Sequence, residues 1–533
     1  MKFKKILTLA LCALLSLSAL AGCVNGNNGG NKPDPDKPGT GGETQRLTVY
    51  MSGYIACSDD DAVKEAIEAK FAKDTGIKIK LNFKIFSKEN FNSKFGNVVS
   101  RDTWDAAMSY LGHAGIQSLA IDNGAAIDVK SLLTLNGKNI KKVVDNDALK
   151  ATSYADGQIM AIPSVNNGKT HGVLIRKDWM DKVGYTIDKT DTSKKLLRTL
   201  DDFTDMLQKF DTEIEGCDIP LRGKPYDVED YITLGACDAV GYSTSTVAYN
   251  EDGTVKEVAP GAIDPNYKKA LTYMQKWAAG GLWEKDNRTI PESTREAAWT
   301  TGTCGVYCAD PEITDLIRLA RLCKAEDPNA EFCIMPPLEG TNADGETVSG
   351  YKESSSHTYG LVINKKSKNI DLVVKYLDWM YSDKENYELC KYGIKGTHWE
   401  EAGDGLYTYP ADKLDEYLAK PPYSGCYVML ENDLVSDRIL NAYTAEELGW
   451  IEFIKSAPSY KSPVLDMLFP SIPSREASAF QGAENTFFEQ VISRSWIGDP
   501  MGPALFDAQA NAYRSQAEIY IEWLTKEYKL LAA

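Results

Sequence analysis

Residues 46–83 read RLTVYMSGYIACSDDDAVKEAIEAKFAKDTGIKIKLNF, a run that predicts a strand, a helix and a second strand. The apolar residues 47–51 predict the first strand, and the alternation over residues 77–83 predicts the second. Between them apolar residues recur at helical spacing, and Gly76 is placed to end that helix. Two strands joined through a helix usually run parallel, so this run predicts the start of an open α/β sheet.

A third strand is predicted over residues 104–110, after a helix-like stretch. In open α/β sheets, ligands bind beyond the carboxyl ends of the strands. Tyr54 follows the first predicted strand and Tyr110 ends the third. Both tyrosines are therefore candidate ligand-binding residues.

The rest of the chain is predicted to be more helical. Thr199, with Asp202 three residues later, predicts a capped helix. Residues 267–279, 371–381 and 511–531 also place apolar side chains at helical spacing. No repeat period is evident, so the strands and helices are expected to build α/β domains rather than a solenoid.

The N-terminus has the features of a processed signal. Residues 1–22 begin with three lysines and continue with an apolar run too short to span a bilayer, which predicts a removed leader. The leader ends in Leu20-Ala21-Gly22-Cys23, which resembles a bacterial lipobox, so Cys23 is the expected lipidation site. An ordinary signal peptide with a chance cysteine is the alternative. Residues 23–45 are rich in glycine, proline and polar residues and predict a flexible linker.

Charge and hydropathy limit the partners. Without the three lysines of the leader, the 59 basic residues become 56 against 76 acidic ones, a net charge of −20. Such a balance argues against nucleic acid or an anionic membrane face as a partner. No apolar run after the leader approaches transmembrane length, so we expect an extracytoplasmic protein, held at the outer face of the cell membrane by its lipid alone.

Metal and nucleotide sites are not indicated. The chain has no C-x-x-C pair and its histidines are scattered, so no metal site is expected and the cysteines are expected to be mostly free, buried thiols. Gly168-Lys169-Thr170 is the end of a phosphate-loop pattern, but the required first glycine is replaced by Pro163. Neither H-E-x-x-H nor G-x-S-x-G occurs. A glycoside hydrolase that uses paired carboxylates stays open as an alternative.

Aromatic residues beside polar loop residues are typical of sugar sites, because sugars have apolar ring faces edged with hydroxyl groups. For each such residue the alternative is a partly buried packing aromatic. Trp179, Trp277, Trp379 and Trp523 lie within helical patterns and are predicted to be core. The aromatic residues next to polar loop residues are Tyr110, Tyr226, Tyr351 and Trp399. Asp227, which directly follows Tyr226, is an acidic candidate beside them.

Two motifs carry a resemblance to a known family. Residues 175–184, IRKDWMDKVG, resemble the I-R-K-D-W-L-D-K-L-G segment of the family 1 extracellular solute-binding proteins. Residues 392–399, YGIKGTHW, resemble the Y-G-I-E-G-x-H-Y segment of the same family's large lipoproteins, which serve carbohydrate ABC importers. The resemblance extends from about residue 46 to the end of the chain.

This resemblance implies two α/β lobes joined by hinge strands, with the ligand cleft between them and a helix-rich second lobe. We expect the N-terminal lobe over residues 46–165 and 356–394. We expect the C-terminal lobe over residues 166–355 and 395–533.

Cleft residues follow from the same resemblance. Tyr110 lies where a maltose-binding member has a stacking tryptophan, and Asn166 and Asn167 lie near its acidic hinge contact. Pro225-Tyr226 resembles its Pro-Tyr cleft pair, and Tyr307 resembles the tryptophan of its Gly-Pro-Trp. The candidate ligand-binding residues are therefore Tyr54, Tyr110, Asn166, Asn167, Tyr226, Asp227, Tyr307, Tyr351 and Trp399.

The function implied is capture of an oligosaccharide and its delivery to an ABC permease, by a monomer that is not an enzyme and needs no cofactor. Alginate-binding relatives have a calcium loop. The corresponding segment here, residues 211–220, is shorter than that loop and lacks oxygen ligands at alternate positions, so structural calcium is disfavoured. Two further functions stay open: a surface glycoside hydrolase, and the same fold binding a peptide or another polar solute.

Overall fold

The computed structural model describes residues 44–112, 115–154, 157–342, 344–403, 405–500 and 503–532. The predicted signal peptide, Cys23 and nearly all of the linker lie outside these residues. The strands, in chain order, are β1 (Gln45–Ser52), β2 (Ile79–Phe86), β3 (Ala106–Tyr110), β4 (Ile162–Pro163), β5 (Leu174–Arg176), β6 (Tyr185–Thr186), β7 (Lys195–Leu196), β8 (Leu221–Gly223), β9 (Ser245–Tyr249), β10 (Val255–Pro260), β11 (Val306–Cys308), β12 (Phe332–Ile334), β13 (Glu339–Thr341), β14 (Thr347–Ser349), β15 (Tyr351–Lys352), β16 (Tyr359–Ile363), β17 (Glu400–Gly403), β18 (Leu406–Thr408), β19 (Ile439–Leu440) and β20 (Ser459–Tyr460).

The helices surround these strands. The α-helices are α1 (Asp60–Thr75), α2 (Lys88–Gly96), α3 (Lys130–Asn136), α4 (Ile140–Val143), α5 (Asn146–Ala151), α6 (Lys177–Lys182), α7 (Leu200–Glu213), α8 (Pro225–Val228), α9 (Leu234–Cys237), α10 (Pro265–Ala279), α11 (Glu292–Thr300), α12 (Ile313–Glu326), α13 (Ile370–Met380), α14 (Lys384–Tyr392), α15 (Leu414–Ala419), α16 (Ala445–Ser456), α17 (Ser474–Phe487), α18 (Ser493–Trp496), α19 (Pro503–Gln516) and α20 (Glu518–Ala532). In the described residues no helix is both long and apolar enough to cross a lipid bilayer.

The first lobe is built on a five-stranded sheet in the order β2-β1-β3-β16-β4. Strands β2, β1 and β3 are parallel, and β16 runs antiparallel to β3. Because side chains alternate along a strand, Ala106 and Met108 pack in one core while Ala107 packs in the core on the opposite face. Helices cover both faces, which explains why these strands are apolar on both sides.

The second lobe is built on a four-stranded sheet in the order β12-β5-β11-β8, with a larger set of helices around it. The IRKDW motif supplies strand β5 and helix α6. Arg176 is buried, lies 4.9 Å from the ring of Trp179 and donates to Asp178 at 2.7 Å and Asp327 at 2.9 Å. The predicted two-lobe α/β fold class is confirmed, and the motif has a structural role at the entry to the second lobe.

Local predictions mostly agree with the structure. Gly76 ends α1 with a φ of 73°, and Thr199 and Asp202 form the capping box of α7. The expected C-terminal helix over residues 511–531 differs, because α19 ends at Gln516 and α20 begins at Glu518. Ala517 at this break is fully buried, and the continuous apolar face masked the interruption.

The lobe boundary also differs from the expectation, which places residues 395–533 in the second lobe. Residues 426–430 pack in the core of the first sheet, together with Tyr387 and Tyr376 of α14 and α13. The chain therefore stays with the first lobe past residue 394 and passes to the second near residue 432. Apolar periodicity gives no signal at this point, because both lobes offer an apolar core.

Candidate functional site

Among the described residues, three neighbouring backbone segments connect the lobes. The middle segment is residues 164–168. The N–H of Asn166 donates to the Ser356 carbonyl at 2.9 Å, and the N–H of Asp433 donates to the Val165 carbonyl at 2.8 Å. The ribbon formed by these segments, residues 164–168, 354–357 and 431–433, is called the hinge.

The Gly-Lys-Thr pattern lies in this hinge. A Cβ at Gly168 would lie 2.4 Å from the Ser354 carbonyl oxygen, so only glycine fits between the two segments. The Ser354 N–H donates to the Gly168 carbonyl at 3.0 Å, and the Lys169 ammonium lies 3.9 Å from Glu353. These contacts hold the hinge together, in agreement with the sequence argument against a phosphate loop.

A groove of about 490 Å³ lies between the lobes beside the hinge. This volume is in the range of small-ligand sites. The interlobe groove is lined on the first-lobe side by Tyr110 and Gln117, on the hinge side by Ser355 and His357, and on the second-lobe side by Ser243 and Trp523.

Residues 461–472 form a further wall of the groove and are called the strap. The strap leaves strand β20 and leads to α17, and Val464 and Phe469 pack on the second-lobe core. Leu468, between them, is buried in the first-lobe core with Phe91 and Trp104. The strap therefore contacts both lobes without belonging to the hinge.

Tyr110 is placed by the end of β3 as the sequence predicted. Its side chain is 48% exposed and its ring faces the interlobe groove. A Cβ at position 112 would lie 2.8 Å from Cε1 of this ring, so Gly112 allows the ring to lie against the backbone. An aromatic face held open to a groove is suited to stacking on an apolar ligand surface.

The two hinge asparagines differ. Asn166 has a buried side-chain oxygen that finds no hydrogen-bond partner among the described residues. Asn167 is already used: its N–H donates to Asp433 at 2.9 Å and its side-chain oxygen accepts from the Lys169 N–H at 3.0 Å. Asn166 is the stronger candidate for a ligand contact, because a buried polar atom without a partner is costly.

Tyr226 and Asp227 lie at the carboxyl end of β8, at the edge of the second sheet that faces the hinge. Tyr226 is 44% exposed and its ring lies 6.3 Å from that of Tyr242, whose neighbour Ser243 lines the groove. Asp227 accepts the Asp310 N–H at 2.8 Å. Burial, followed by the nearby charge of Asp310, raises the pKa of Asp227 to about 7.

Four of the expected site residues are engaged elsewhere. Tyr307 is fully buried and donates to Glu292, and Tyr351 is buried and donates to the Met335 carbonyl. Trp399 is buried and donates to the Gly393 carbonyl at 3.0 Å. Tyr54 donates to Glu431 at 2.9 Å and packs on the first-lobe core. None of these four lines the interlobe groove, and neither do Asn166, Asn167, Tyr226 and Asp227, so Tyr110 is the one predicted site residue that does.

Strand alternation explains two of these differences. Val306 and Cys308 face one core and Tyr307 faces the opposite one, where its ring is enclosed by packing. Likewise Tyr351 points into the core while its neighbour Lys352 lines the groove. The two-residue period of a strand, applied to Gly350-Tyr351-Lys352, would have given Lys352 as the alternative groove residue to Tyr351.

Sequence reasoning also missed groove residues outside the family motifs. Trp523, predicted to be core, is half-buried and stacks with Tyr520 at 5.8 Å along the groove. Ser355, His357 and Asp466 were not predicted because small polar residues are common in any loop. The run Ser354-Ser355-Ser356-His357 before strand β16 was the available signal.

Metal binding receives no positive evidence. Across the part of the chain that the structure describes, no three histidine, cysteine or acidic side chains are placed to hold a metal ion. In the segment compared with calcium loops, Asp218 pairs instead with Arg222 at 2.8 Å.

Known proteins with this architecture bind solutes. The sequence model of the bacterial extracellular solute-binding proteins matches residues 58–387. The polygalacturonan/rhamnogalacturonan-binding protein YtcQ of Bacillus subtilis (strain 168) is 21% identical over 283 residues, which are 52% of this chain and 53% of YtcQ. The chain therefore aligns with about half the length of this curated relative.

Solved structures show the same fold. The N-glycan transport solute-binding protein NgtS of Streptococcus pneumoniae matches with a TM-score of 0.65 at 16% identity, covering 92% of this chain and 99% of NgtS. An HMO-binding, ABC-transporter-associated solute-binding protein of Bifidobacterium longum infantis ATCC 15697 matches with a TM-score of 0.64 at 16% identity, covering 91% and 99%. The family model spans more than half of the chain, and this protein belongs to the bacterial extracellular solute-binding protein family.

Proposed function

We propose that the protein captures an oligosaccharide in the interlobe groove and delivers it to the permease of an ABC importer. The observation that carries this proposal is the exposed Tyr110 at the carboxyl end of β3, in a groove that Trp523 and the strap also line. Two aromatic surfaces around a polar floor match a ligand with apolar ring faces and hydroxyl edges.

The hinge supplies the conformational part of the proposal. Hydrogen bonds join its three segments side by side, so the lobes can rotate about it while each lobe keeps its own core. A ligand that contacts both lobes shifts the population toward the closed form by its greater affinity for that form. The names of YtcQ, for polygalacturonan and rhamnogalacturonan binding, and of NgtS, for N-glycan transport, support the choice of ligand class.

The remaining parts of the proposal concern anchoring and assembly. Cys23 carries the lipid that holds the protein at the outer face of the cell membrane, and the protein acts as a monomer without catalysis. Replacement of Cys23 by alanine is expected to release the protein into the medium, which fractionation and immunoblotting would detect. A fully membrane-retained Cys23→Ala protein would contradict the lipid anchor.

A thermal-shift panel tests ligand capture. Ligand at about a hundredfold its dissociation constant adds ~2.7 kcal/mol of stability, enough for a clear rise in melting temperature. The panel should include neutral and acidic oligosaccharides, and each positive should be confirmed by calorimetry and checked for intact ligand by chromatography. Melting curves unmoved by every oligosaccharide would contradict the proposed function, and cleaved ligand would favour the hydrolase.

Tyr110 offers a matched pair of variants. Tyr110→Ala should weaken binding about tenfold, since an aromatic contact contributes ~1.5 kcal/mol. Tyr249→Ala removes a tyrosine of similar exposure, 52%, that does not line the groove. Equal affinity of the two variants would place the ligand elsewhere.

A further inference from the structure

The charged side chains of the interlobe groove are already compensated. Among the described residues that line it, the side chains that can carry a charge are Lys352, Asp466 and His357, and Nδ1 of His357 lies 2.7 Å from the Ser164 carbonyl oxygen. Lys352 donates to both oxygens of Asp230 at 2.9 Å and to Ser243 at 3.2 Å. Asp466 pairs with Lys461 at 2.5 Å and accepts from the Ser355 hydroxyl.

The Lys352–Asp230 pair is held in place. The two side chains are only 14% and 19% exposed, and both carboxylate oxygens of Asp230 accept hydrogen bonds from the Lys352 ammonium group. A ligand carboxylate that approached Lys352 would be repelled by Asp230 or would have to displace it. The cation is thus present in the groove but is not available as a full positive charge.

The surroundings of Asp230 disfavour a further negative charge. Glu229 is buried, accepts from the Tyr267 hydroxyl at 2.7 Å, and has a pKa raised to about 8 by burial and then by the charge of Asp230. The pKa of Asp227 is raised to about 7, chiefly by burial. In both cases burial disfavours the charged form of a carboxyl group, and it would act in the same way on a ligand carboxylate enclosed beside them.

Uncharged polar groups also line the groove. Gln117, Ser243, Ser355 and Thr358 offer amide and hydroxyl groups, and the aromatic rings add apolar faces. Hydroxyls and amides can both donate and accept, which suits the hydroxyl groups of a neutral sugar. A carboxylate accepts only, and its charge would remain uncompensated here.

We propose that the interlobe groove selects neutral oligosaccharides over uronate-containing ones, and that Asp230 sets this preference by neutralising Lys352. The inference rests on the proposed oligosaccharide-binding function. It also sets this chain apart from its relative YtcQ, named for binding polygalacturonan and rhamnogalacturonan.

The wild-type test compares tetrasaccharides of glucose, mannose, galactose and N-acetylglucosamine with tetramers of galacturonate, mannuronate and guluronate. Calorimetry at about pH 8 keeps the uronates ionised, since carboxyl groups titrate near pH 4, and lies above the ordinary histidine pKa of about 6.5. Binding confined to neutral tetramers supports the proposal. A uronate bound as tightly as the best neutral tetramer would overturn it while leaving the proposed function standing. Binding of no oligosaccharide would overturn the proposed function itself, and the selectivity with it.

A variant tests the role of Asp230. Asp230→Asn keeps the shape but frees the charge of Lys352, and should raise the ratio of uronate to neutral affinity by about fivefold. Asp507→Asn is the matched control, because it removes the same charge from a pair with Lys268 at 2.8 Å that does not line the groove. An equal ratio in the two folded variants would overturn the role of Asp230. The wild-type panel decides the selectivity even if Asp230→Asn proves too unstable to assay.

Discussion

The backbone N–H of Asn166 donates to the carbonyl of Ser356 at 2.9 Å, which joins the first and second passages of the chain between the lobes. The same residue keeps a buried side-chain oxygen with no partner in the described residues. The backbone of Asn166 therefore holds the hinge together, while its side-chain oxygen makes none of the hinge hydrogen bonds.

Asn166→Ala is expected to weaken oligosaccharide binding by about tenfold while leaving the melting temperature of the ligand-free protein nearly unchanged. The physical reason is that the lost oxygen makes no internal hydrogen bond, whereas one hydrogen bond to ligand contributes up to ~1.4 kcal/mol, which is a factor of ten. Calorimetry and unfolding of the free protein measure the two effects separately. An unaltered affinity would make the segment a connector only.

Asn167→Ala should show the opposite balance. Its side-chain oxygen accepts from the Lys169 N–H at 3.0 Å, so its loss should lower the free energy of unfolding by about 1 kcal/mol. Ligand affinity should change less than in Asn166→Ala. Interchanged results would assign the ligand contact to Asn167 instead.

Leu468→Ala tests the strap. Leu468 is 3% exposed and packs with Phe91 and Trp104 in the first lobe, so truncation should cost about 3 kcal/mol of stability. Affinity should also fall, because the strap forms a wall of the groove. Leu465→Ala, in the same segment but only half-buried, should cost less than half as much. Equal losses would mean that Leu468 does not fasten the strap to the first lobe.

Much of the first lobe could be predicted because its signals are local. The alternation around residues 77–83 and the glycine at position 76 are properties of neighbouring residues, and both match the structure. Tyr110 was predicted for the same reason: it is the last residue of a predicted strand, and ligands bind beyond the carboxyl ends of such strands.

The rest of the site depends on contacts that are distant in sequence. Lys352 meets Asp230 across 122 positions, and Ser355 meets Asp466 across 111. No local pattern marks such pairs. Trp399 was predicted as a site residue because its polar neighbours suggested a surface loop. In the structure this loop contacts Asp59 through His398 at 3.2 Å and encloses the indole.

Trp399→Phe separates a structural role from a binding role. The substitution keeps an aromatic ring but loses the hydrogen bond to the Gly393 carbonyl at 3.0 Å, so stability should fall by about 1–2 kcal/mol. The dissociation constant for the oligosaccharide should stay the same, because the indole is 2% exposed and outside the groove. Denaturant unfolding and calorimetry provide the two readings. A tenfold weaker affinity in a stable variant would return Trp399 to the site.

Asp227 gives a pH dependence whose sign follows from its environment. Its pKa is about 7 in the folded protein against an ordinary value of 3.8, since burial disfavours the charged form. Between these values the folded state binds more protons than the unfolded state, so this group lowers the free energy of unfolding as pH rises through the window. Asp227→Asn should remove that loss. The variant should gain roughly one to three degrees in melting temperature relative to the parent at about pH 8 and match it at about pH 4.

The matched contrast to Asp227 is Asp188. This exposed carboxylate accepts from the Thr190 hydroxyl at 2.7 Å and N–H at 2.8 Å, which lower its pKa. Its contribution is present above an ordinary aspartate pKa and is lost as pH falls, so Asp188→Asn should slightly destabilise the protein at about pH 8. Melting curves of both variants over the same pH series measure the two slopes. A parallel response of Asp188→Asn and Asp227→Asn would contradict the burial argument, because the two carboxyl groups should act with opposite sign.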